Sequence, residues 1–188
     1  MIFPTAYLAP VSWYKAYLSE PCMTNEIELY ESFPKQTLRN RCCIAGPNGV
    51  QTLTVPVQKC EHKQLTKDVR VSYQSKWQHQ HWQALVSAYR NTPYFDYYED
   101  FFRPLYEKRF EYLIELNEQM HCIICELLGV SFPIRYTTDW HADANRYQQN
   151  QSDSTPYYQI FSDTQGFQRD LSIVDLLFNM GQEAPLYL

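Results

Sequence analysis

The spacing of apolar residues changes along this chain, and the change constrains its fold class. Up to about residue 73, apolar residues form short runs or alternate with polar ones, which is typical of β-strands. From residue 76 onward they recur every three or four positions, which is typical of amphipathic helices. A chain with this order of elements is predicted to be an α/β or α+β protein in which helices cover an N-terminal sheet.

The N-terminal third is predicted to form a mixed sheet that contains one β-hairpin. Residues 2–8, 27–29 and 69–73 form apolar runs of strand length. Residues 41–45 and 51–57 flank Pro47-Asn48-Gly49, a turn sequence that favours a hairpin. In the second hairpin strand every other residue is apolar, so one face of that strand is expected to be buried.

Two long central helices and one short C-terminal helix are predicted. The first covers residues 76–90 and ends before Pro93. The second covers residues 104–128, with Pro104 in its first turn and Gly129 just beyond its end. Residues 139–156 are polar and predict a loop, and residues 157–161 are expected to return to the sheet.

The short C-terminal helix is predicted over residues 171–180. Ser172 is expected to be its N-cap, and Asp175 to complete the cap as a structural residue. Gly181 is expected to end this helix. The chain shows no internal repeat and no linker that would divide it, so residues 1–188 are predicted to be a single domain.

Composition and charge argue against several classes of protein. The net charge is -5 and the pI is about 5.5, which argues against general binding of nucleic acid. No apolar run approaches the roughly 20 residues of a membrane helix, and the N-terminus lacks the positive charge of a signal peptide. A cytoplasmic protein without membrane insertion is therefore expected. Neither a cofactor nor an oligomeric state follows from the sequence.

Six cysteines are expected to be reduced, buried thiols, because their spacing does not resemble a disulfide framework. Cys122 and Cys125 form a lone Cys-x-x-Cys pair inside a helical pattern, so no metal site is predicted there. Cys42 and Cys43 follow Arg41, whose positive charge would activate a nucleophilic thiol. If these two residues lie in a strand, alternation directs only one of them toward a cleft.

Residues 35–41 hold three cations, Lys35, Arg39 and Arg41, in a chain whose net charge is negative. Arginine holds a carboxylate or phosphate with two parallel hydrogen bonds, so this cluster suggests an anion-binding site. On an extended strand, Arg39 and Arg41 would share one face, and Arg41 at least is expected to be half-buried or paired. The alternative is a solvated strand edge whose charges prevent aggregation.

Two further polar residues are predicted to lie on apolar helix faces. His81 projects inward from the first long helix, whereas His79 projects outward. A buried histidine is either a general base in a cleft or a core residue that bonds a backbone carbonyl. Arg109 projects into the apolar arc of the second helix, where it needs a carboxylate, a ligand or a path to solvent. His81, Arg41 and Arg109 are predicted to border one pocket between the sheet and the helices.

Several motifs, taken in order, resemble the WbqC-like protein family from nearly one end of the chain to the other. The basic motif and the closing helix are the most specific of them. The motifs are Lys35-Gln36-x-x-Arg39-Asn40-Arg41, Gly46-Pro47-Asn48-Gly49, Leu53-Thr54-Val55-Pro56-Val57, Trp77-x-x-x-His81-Trp82, Ala88-Tyr89, Pro93-Tyr94-Phe95 and Leu171-Ser172-Ile173-Val174-Asp175-Leu176-Leu177-Phe178-Asn179-Met180-Gly181.

This resemblance implies a single WbqC-like domain from a bacterial family associated with surface-polysaccharide (O-antigen) gene clusters. It implies a cytoplasmic transferase, for example one that moves an aminoacyl group such as glycyl to an amino sugar. The expected partner is a small anionic substrate, either a nucleotide-sugar or an aminoacyl donor. His81 would be the catalytic base, and the substrate-binding residues would be Lys35, Arg39, Asn40, Arg41, Arg109 and Tyr89. The alternative is a noncatalytic module that binds an anionic sugar intermediate or a partner protein.

Overall fold

Two small sheets and a set of helices make up this α+β protein. The computed structural model describes residues 1–19, 24–130, 134–149 and 155–188. The strands are β1 (Ile2–Pro4), β2 (Glu26–Glu28), β3 (Arg41–Ile44) and β4 (Gln51–Thr54). The helices are α1 (Val11–Leu18), α2 (Trp77–Tyr89), α3 (Phe95–Glu107), α4 (Leu113–Leu127), α5 (Ser162–Gln165) and α6 (Ile173–Met180), with short 3-10 helices at Thr66–Asp68 and Gly181–Tyr187.

Parallel and antiparallel pairing both occur, but in two separate two-stranded sheets instead of one mixed sheet. β1 pairs with β2 in parallel, and β3 pairs with β4 as the predicted antiparallel hairpin. Gly49 supplies the positive φ of the hairpin turn, at 113°. Residues 69–73 contribute only isolated bridges, and residues 157–161 form no strand, so both of these strand predictions were wrong.

The first predicted long helix is confirmed as α2, but the second was wrong in its bounds. Residues 104–128 divide between two helices, and Pro104 lies in the last part of α3 instead of starting a helix. The interruption has a tertiary cause: Val71 N donates to Glu111 O at 3.0 Å, and Leu113 N donates to Val69 O at 2.9 Å. These bonds hold the connecting residues extended, which a helical pattern in the sequence does not reveal.

Helix α1 was not predicted. Its sequence is rich in aromatic residues, and it buries Val11, Trp13, Tyr14 and Tyr17. Aromatic residues favour strands in isolation, so packing determines the conformation of this segment. In the described part of the chain, no helix is long and apolar enough to cross a lipid bilayer.

Helix α6 is the centre of the core. Seven of its eight residues are buried, and the ring of Phe178 packs against Tyr89, Phe95 and Phe102 at centroid distances of 5.2, 5.1 and 5.6 Å. Gly181 ends the helix as predicted, with φ at 57°. An added Cβ at Gly181 would lie 2.3 Å from Tyr94 Cδ1, so a larger residue cannot fit there.

Ser172 caps α6 as predicted and also joins distant segments. Its Oγ accepts from Val174 N at 3.4 Å and donates to Leu8 O at 2.8 Å. Its backbone N donates to Cys43 O at 2.7 Å, and the next amide, that of Ile173, donates to Ala9 O at 2.8 Å. The start of α6 is therefore tied both to the N-terminal segment and to the hairpin.

Replacing Ser172 with alanine is expected to destabilise the protein by about 2 kcal/mol, because the change removes a helix cap and the donor to Leu8 O at a fully buried position. Urea denaturation monitored by tryptophan fluorescence would measure the change. Ser19→Ala is the matched control, because it removes the hydroxyl of an exposed residue, which donates to Lys15 O within the same segment. Equal losses in the two variants would show that the Ser172 hydroxyl is not a structural link.

Candidate anion-binding site

A pocket of about 480 Å³ lies beside the first residue of β3. Its walls come from the turn at residues 36–39, from residues 41–43 of β3 and from Thr52 of β4. Pro10, Gln149 and Asp170 complete it. The pocket therefore forms where the N-terminal segment, the hairpin and the start of α6 meet.

Arg41 is half-buried at this pocket, as predicted. Its Nε–H is buried and has no acceptor among the described residues. No ion pair to Arg41 occurs in that part of the chain. A buried donor without an acceptor costs about 1–3 kcal/mol, so an anion in the pocket would recover a substantial energy.

The other two cations of the cluster are arranged differently. Arg39 is neutralised by Glu31, with Nε–Oε1 at 2.5 Å and Nη2–Oε2 at 2.6 Å. Both side chains of this pair are only 13% exposed. Arg39 lies in the turn before β3, so the prediction that it shares a strand face with Arg41 was wrong, although both residues border the pocket. Lys35 is exposed.

Asn40 and Tyr89, two predicted substrate contacts, lie in the protein interior. Asn40 donates from Nδ2 to Val55 O at 2.9 Å and so ties the turn to the segment after β4. The hydroxyl of Tyr89 accepts from Ala45 N at 3.1 Å at the end of β3. Neither residue borders the pocket at Arg41, and the bonds of both support the hairpin.

Asp170 is a pocket residue that the sequence analysis missed. It is 7% exposed, and its Oδ1 accepts from Ser12 N at 2.9 Å while its Oδ2 accepts from Gln149 Nε2 at 2.8 Å. No cation of the described chain pairs with it. No motif marks this position, because its contacts are distant in sequence.

Backbone strain is concentrated around the same pocket. Gln36 and Asp170, both in its wall, have φ of 62° and 53°, and Leu8, two residues before Pro10, has φ of 45°. Such conformations cost about 1–3 kcal/mol each and are enriched at functional sites. The fourth such residue of the described chain, Lys63 with φ of 59°, lies outside this pocket, so the strain accompanies the pocket but does not by itself define a site.

The cysteine pair follows the predicted alternation. Cys42 is buried, and burial raises the pKa of its thiol, whereas Cys43 is exposed at the pocket with its Sγ 3.8 Å from Thr52 Oγ1. The five described cysteines are free, and Cys22 lies outside the described residues. The expectation that the thiols are buried was wrong for Cys43 and Cys122, which are exposed. The described residues contain no group of three or more potential metal ligands.

His81 faces the interior as predicted, but it does not border the pocket at Arg41. It is 5% exposed, and its Nδ1 lies 2.9 Å from the hydroxyl of Tyr7, which lies 2.8 Å from that of Tyr106. Burial lowers the pKa of His81 to about 4, and a hydrogen bond to the backbone of Thr54 opposes part of this shift. His81 is thus a neutral core histidine at physiological pH. His79 is exposed, as predicted.

Arg109 is exposed and lies outside any helix, with its guanidinium 5.0 Å from the ring centre of Tyr73. Its predicted place in an apolar arc was wrong because α3 ends at Glu107. The pocket at Arg41 includes neither Arg109 nor His81, so the prediction that the three residues border one pocket was also wrong.

Asp175 does not cap α6 with its side chain. The carboxylate is fully buried and accepts from Tyr157 Oη at 2.7 Å and Gln159 Nε2 at 2.9 Å, both through Oδ2. Burial raises the pKa of this carboxyl group, and its hydrogen bonds oppose part of the shift. The residue is structural, as predicted, but it anchors residues 157–159 to the core.

These features define an α+β protein with a pocket whose wall contains one arginine that has no ion pair among the described residues. The sequence model of the WbqC-like protein family matches residues 14–152, and the chain belongs to this family. The match includes Arg41 and the whole hairpin but ends before Asp170 and α6. Membership suggests a role associated with polysaccharide biosynthesis.

A relative from Mycobacterium tuberculosis (strain ATCC 25618 / H37Rv), named "Uncharacterized protein Rv1507c", is 27% identical over 217 residues. The alignment covers 95% of this chain and 93% of the relative. The 217-residue alignment is longer than the 188 residues of this chain, so the relative carries residues that this chain lacks. No solved structure matches the chain.

Stability is expected to fall as the pH decreases from 6.5 toward 4. His81 and His121 are buried, and burial lowers the pKa of each to about 4, whereas an unfolded histidine has a pKa near 6.5. The unfolded state therefore binds more protons in this range, and each histidine accounts for a loss of about 2 kcal/mol between pH 7 and pH 5. The free energy of unfolding, measured by urea denaturation at both pH values, tests this.

The variant His81→Gln cannot be protonated at this position. Its free energy of unfolding should therefore fall by about 2 kcal/mol less than that of the wild type between pH 7 and pH 5. His79→Gln is the matched control, since it removes an exposed histidine from the same helix. A wild-type pH dependence in His81→Gln would mean that folding does not lower the pKa of His81.

Proposed function

We propose that the pocket at Arg41 binds the anionic group of a sugar phosphate or nucleotide-sugar used in cytoplasmic steps of surface-polysaccharide biosynthesis. The observation that carries this proposal is that Arg41 borders a pocket while its buried Nε–H has no acceptor in the described chain. An anion that bonds Nε and a terminal nitrogen of the same guanidinium would satisfy this donor. Family membership supplies the association with polysaccharides.

The charges around the pocket suggest that a single cation, and not a broad basic surface, binds the anion. Glu31 neutralises Arg39. The guanidinium of Arg39 could therefore bind a ligand only if its bidentate ion pair were broken. Lys35 is exposed. A lysine carries its charge at the end of a flexible stem, which suits attracting an anion more than orienting it. Arg41 is therefore the residue proposed to hold the ligand.

Arg41→Lys should weaken binding of glucose 1-phosphate and UDP-N-acetylglucosamine by about tenfold or more, because lysine lacks the planar pair of donors. Isothermal titration calorimetry at fixed ionic strength measures the affinity. Arg103→Lys is the matched control, since Arg103 is exposed and pairs with Glu99 within α3. Equal affinities in the wild type and in Arg41→Lys would contradict the proposal.

A transferase reaction at the same pocket is the second candidate, and the position of Cys43 favours it. The exposed thiol lies in the pocket wall one residue from Cys42 and two from Arg41. A Cys43 thiolate would attack the carbonyl carbon of an aminoacyl donor and expel its leaving group, forming a thioester. The amine of an amino sugar would then attack the thioester, forming an amide and releasing the thiol. His81 has no part in this scheme because it does not border the pocket.

Cys43→Ala should abolish glycyl transfer to an amino sugar but preserve the affinity for UDP-N-acetylglucosamine. The assay uses a glycyl thioester as donor and a UDP-linked amino sugar as acceptor, with mass spectrometry of both product and protein. Cys60→Ala is the control, because this cysteine is partly buried outside the pocket. Binding without any turnover of the wild type would favour the noncatalytic module over the transferase.

A further inference from the structure

We infer that the pocket selects a ligand that carries a cationic amine as well as an anionic group, with Arg41 holding the anion and Asp170 holding the amine. This inference rests on the proposed function, because it takes the pocket at Arg41 to be the binding site. The ligand class is a zwitterion. A sugar phosphate with a free amino group and a free amino acid share this chemistry.

Asp170 brings a negative charge that has no counterion among the described residues. Its two carboxylate oxygens accept from a backbone amide and a side-chain amide, of Ser12 and Gln149, and both donors are neutral. No ion pair to it occurs in the described ranges, although only 7% of the residue is exposed. An enclosed carboxylate gains from a cation that enters the same pocket.

Arg41 and Asp170 border one pocket but do not pair with each other. The nearby Arg39 and Glu31 show that the same segment can neutralise a guanidinium when a carboxylate is within reach. Apart from the neutralised Arg39, the pocket thus presents one cation and one anion, and neither has an ion pair in the part of the chain that the structure describes. A simple anion would satisfy Arg41 and be repelled by Asp170, whereas a zwitterion satisfies both groups.

The carboxylate of Asp170 is also fixed in position before a ligand arrives. The residue has φ of 53°, and the bonds from Ser12 N and Gln149 Nε2 hold both oxygens. Ordering costs are therefore small when an amine binds. The alternative is a purely structural role, in which Asp170 caps the amide of Ser12 in the first turn of α1. This role needs a hydrogen-bond acceptor but no negative charge.

Asp170→Asn separates these two roles. Asparagine tolerates positive φ, keeps a carbonyl oxygen for Ser12 N and lacks the negative charge. The amide of Gln149 can rotate to present its oxygen to the new side chain, so the fold should be retained. Thermal unfolding of the variant checks this directly.

Three sugar phosphates and one amino acid serve as probes: glucosamine 1-phosphate, N-acetylglucosamine 1-phosphate, glucose 1-phosphate and glycine. If the ligand is an amino sugar phosphate, the wild type should bind glucosamine 1-phosphate about tenfold more tightly than the other two sugar phosphates, because a charge-assisted hydrogen bond contributes about this factor. Asp170→Asn should remove the preference and leave the affinity for glucose 1-phosphate equal or higher. If the ligand is an amino acid, glycine should bind, and both Arg41→Lys and Asp170→Asn should weaken it.

A measurement on the wild type alone gives the same information if the variant does not fold. The preference for glucosamine 1-phosphate should disappear when the pH is raised until its amine is neutral, while the affinity for glucose 1-phosphate stays unchanged. Equal binding of all three sugar phosphates at neutral pH, still dependent on Arg41 and without binding of glycine, would overturn this inference and leave the proposed function standing. The absence of binding by every probe would overturn both.

Discussion

The junction at Ser172 is the constraint on which the rest of this structure depends. Ser172 N donates to Cys43 O and Ser172 Oγ to Leu8 O, while the flanking bonds, Ile173 N to Ala9 O and Val11 N to Leu171 O, close the same region. Three segments that are far apart in sequence are held together at the start of the most deeply buried helix. The pocket lies directly beside this junction, so its walls acquire their positions only when α6 is in place.

The junction also explains how the pocket can tolerate unfavourable backbone conformations. Leu8 and Asp170, with φ of 45° and 53°, lie on either side of the bonds made by Ser172. Neither conformation is favoured by a short peptide, and each costs about 1–3 kcal/mol. Burial of nearly all of α6 and the bonds of the junction offset this cost. The helix behind the pocket therefore supports the strained positions of Leu8 and Asp170, in addition to the bonds that Asp170 itself accepts.

Elements with local signals were predictable, and elements fixed by distant contacts were not. The hairpin follows from Pro47-Asn48-Gly49, and α6 follows from Ser172 and Gly181, because turn and cap residues act on their immediate neighbours. The break between α3 and α4 depends on pairing with residues 69–71, which no helical pattern contains. In the site, Arg41 was predictable because positive charges are dense around it in the sequence. Asp170 was not, because it lies 129 positions after Arg41 and is distinguished only by its contacts in the folded protein.

Partners separate the structural polar residues of this protein from those proposed to bind a ligand. His81 and Asp175 both looked functional or cap-forming in the sequence, yet their side chains meet the neutral hydroxyls of Tyr7 and Tyr157 deep in the core. Burial then shifts the pKa of each toward its neutral form, so neither needs a counterion. Arg41 remains charged at any physiological pH and cannot be accommodated in this way. A guanidinium with a buried donor and no counterion among the described residues requires either water or a ligand, and this requirement is the basis for proposing a ligand at the pocket that Arg41 borders.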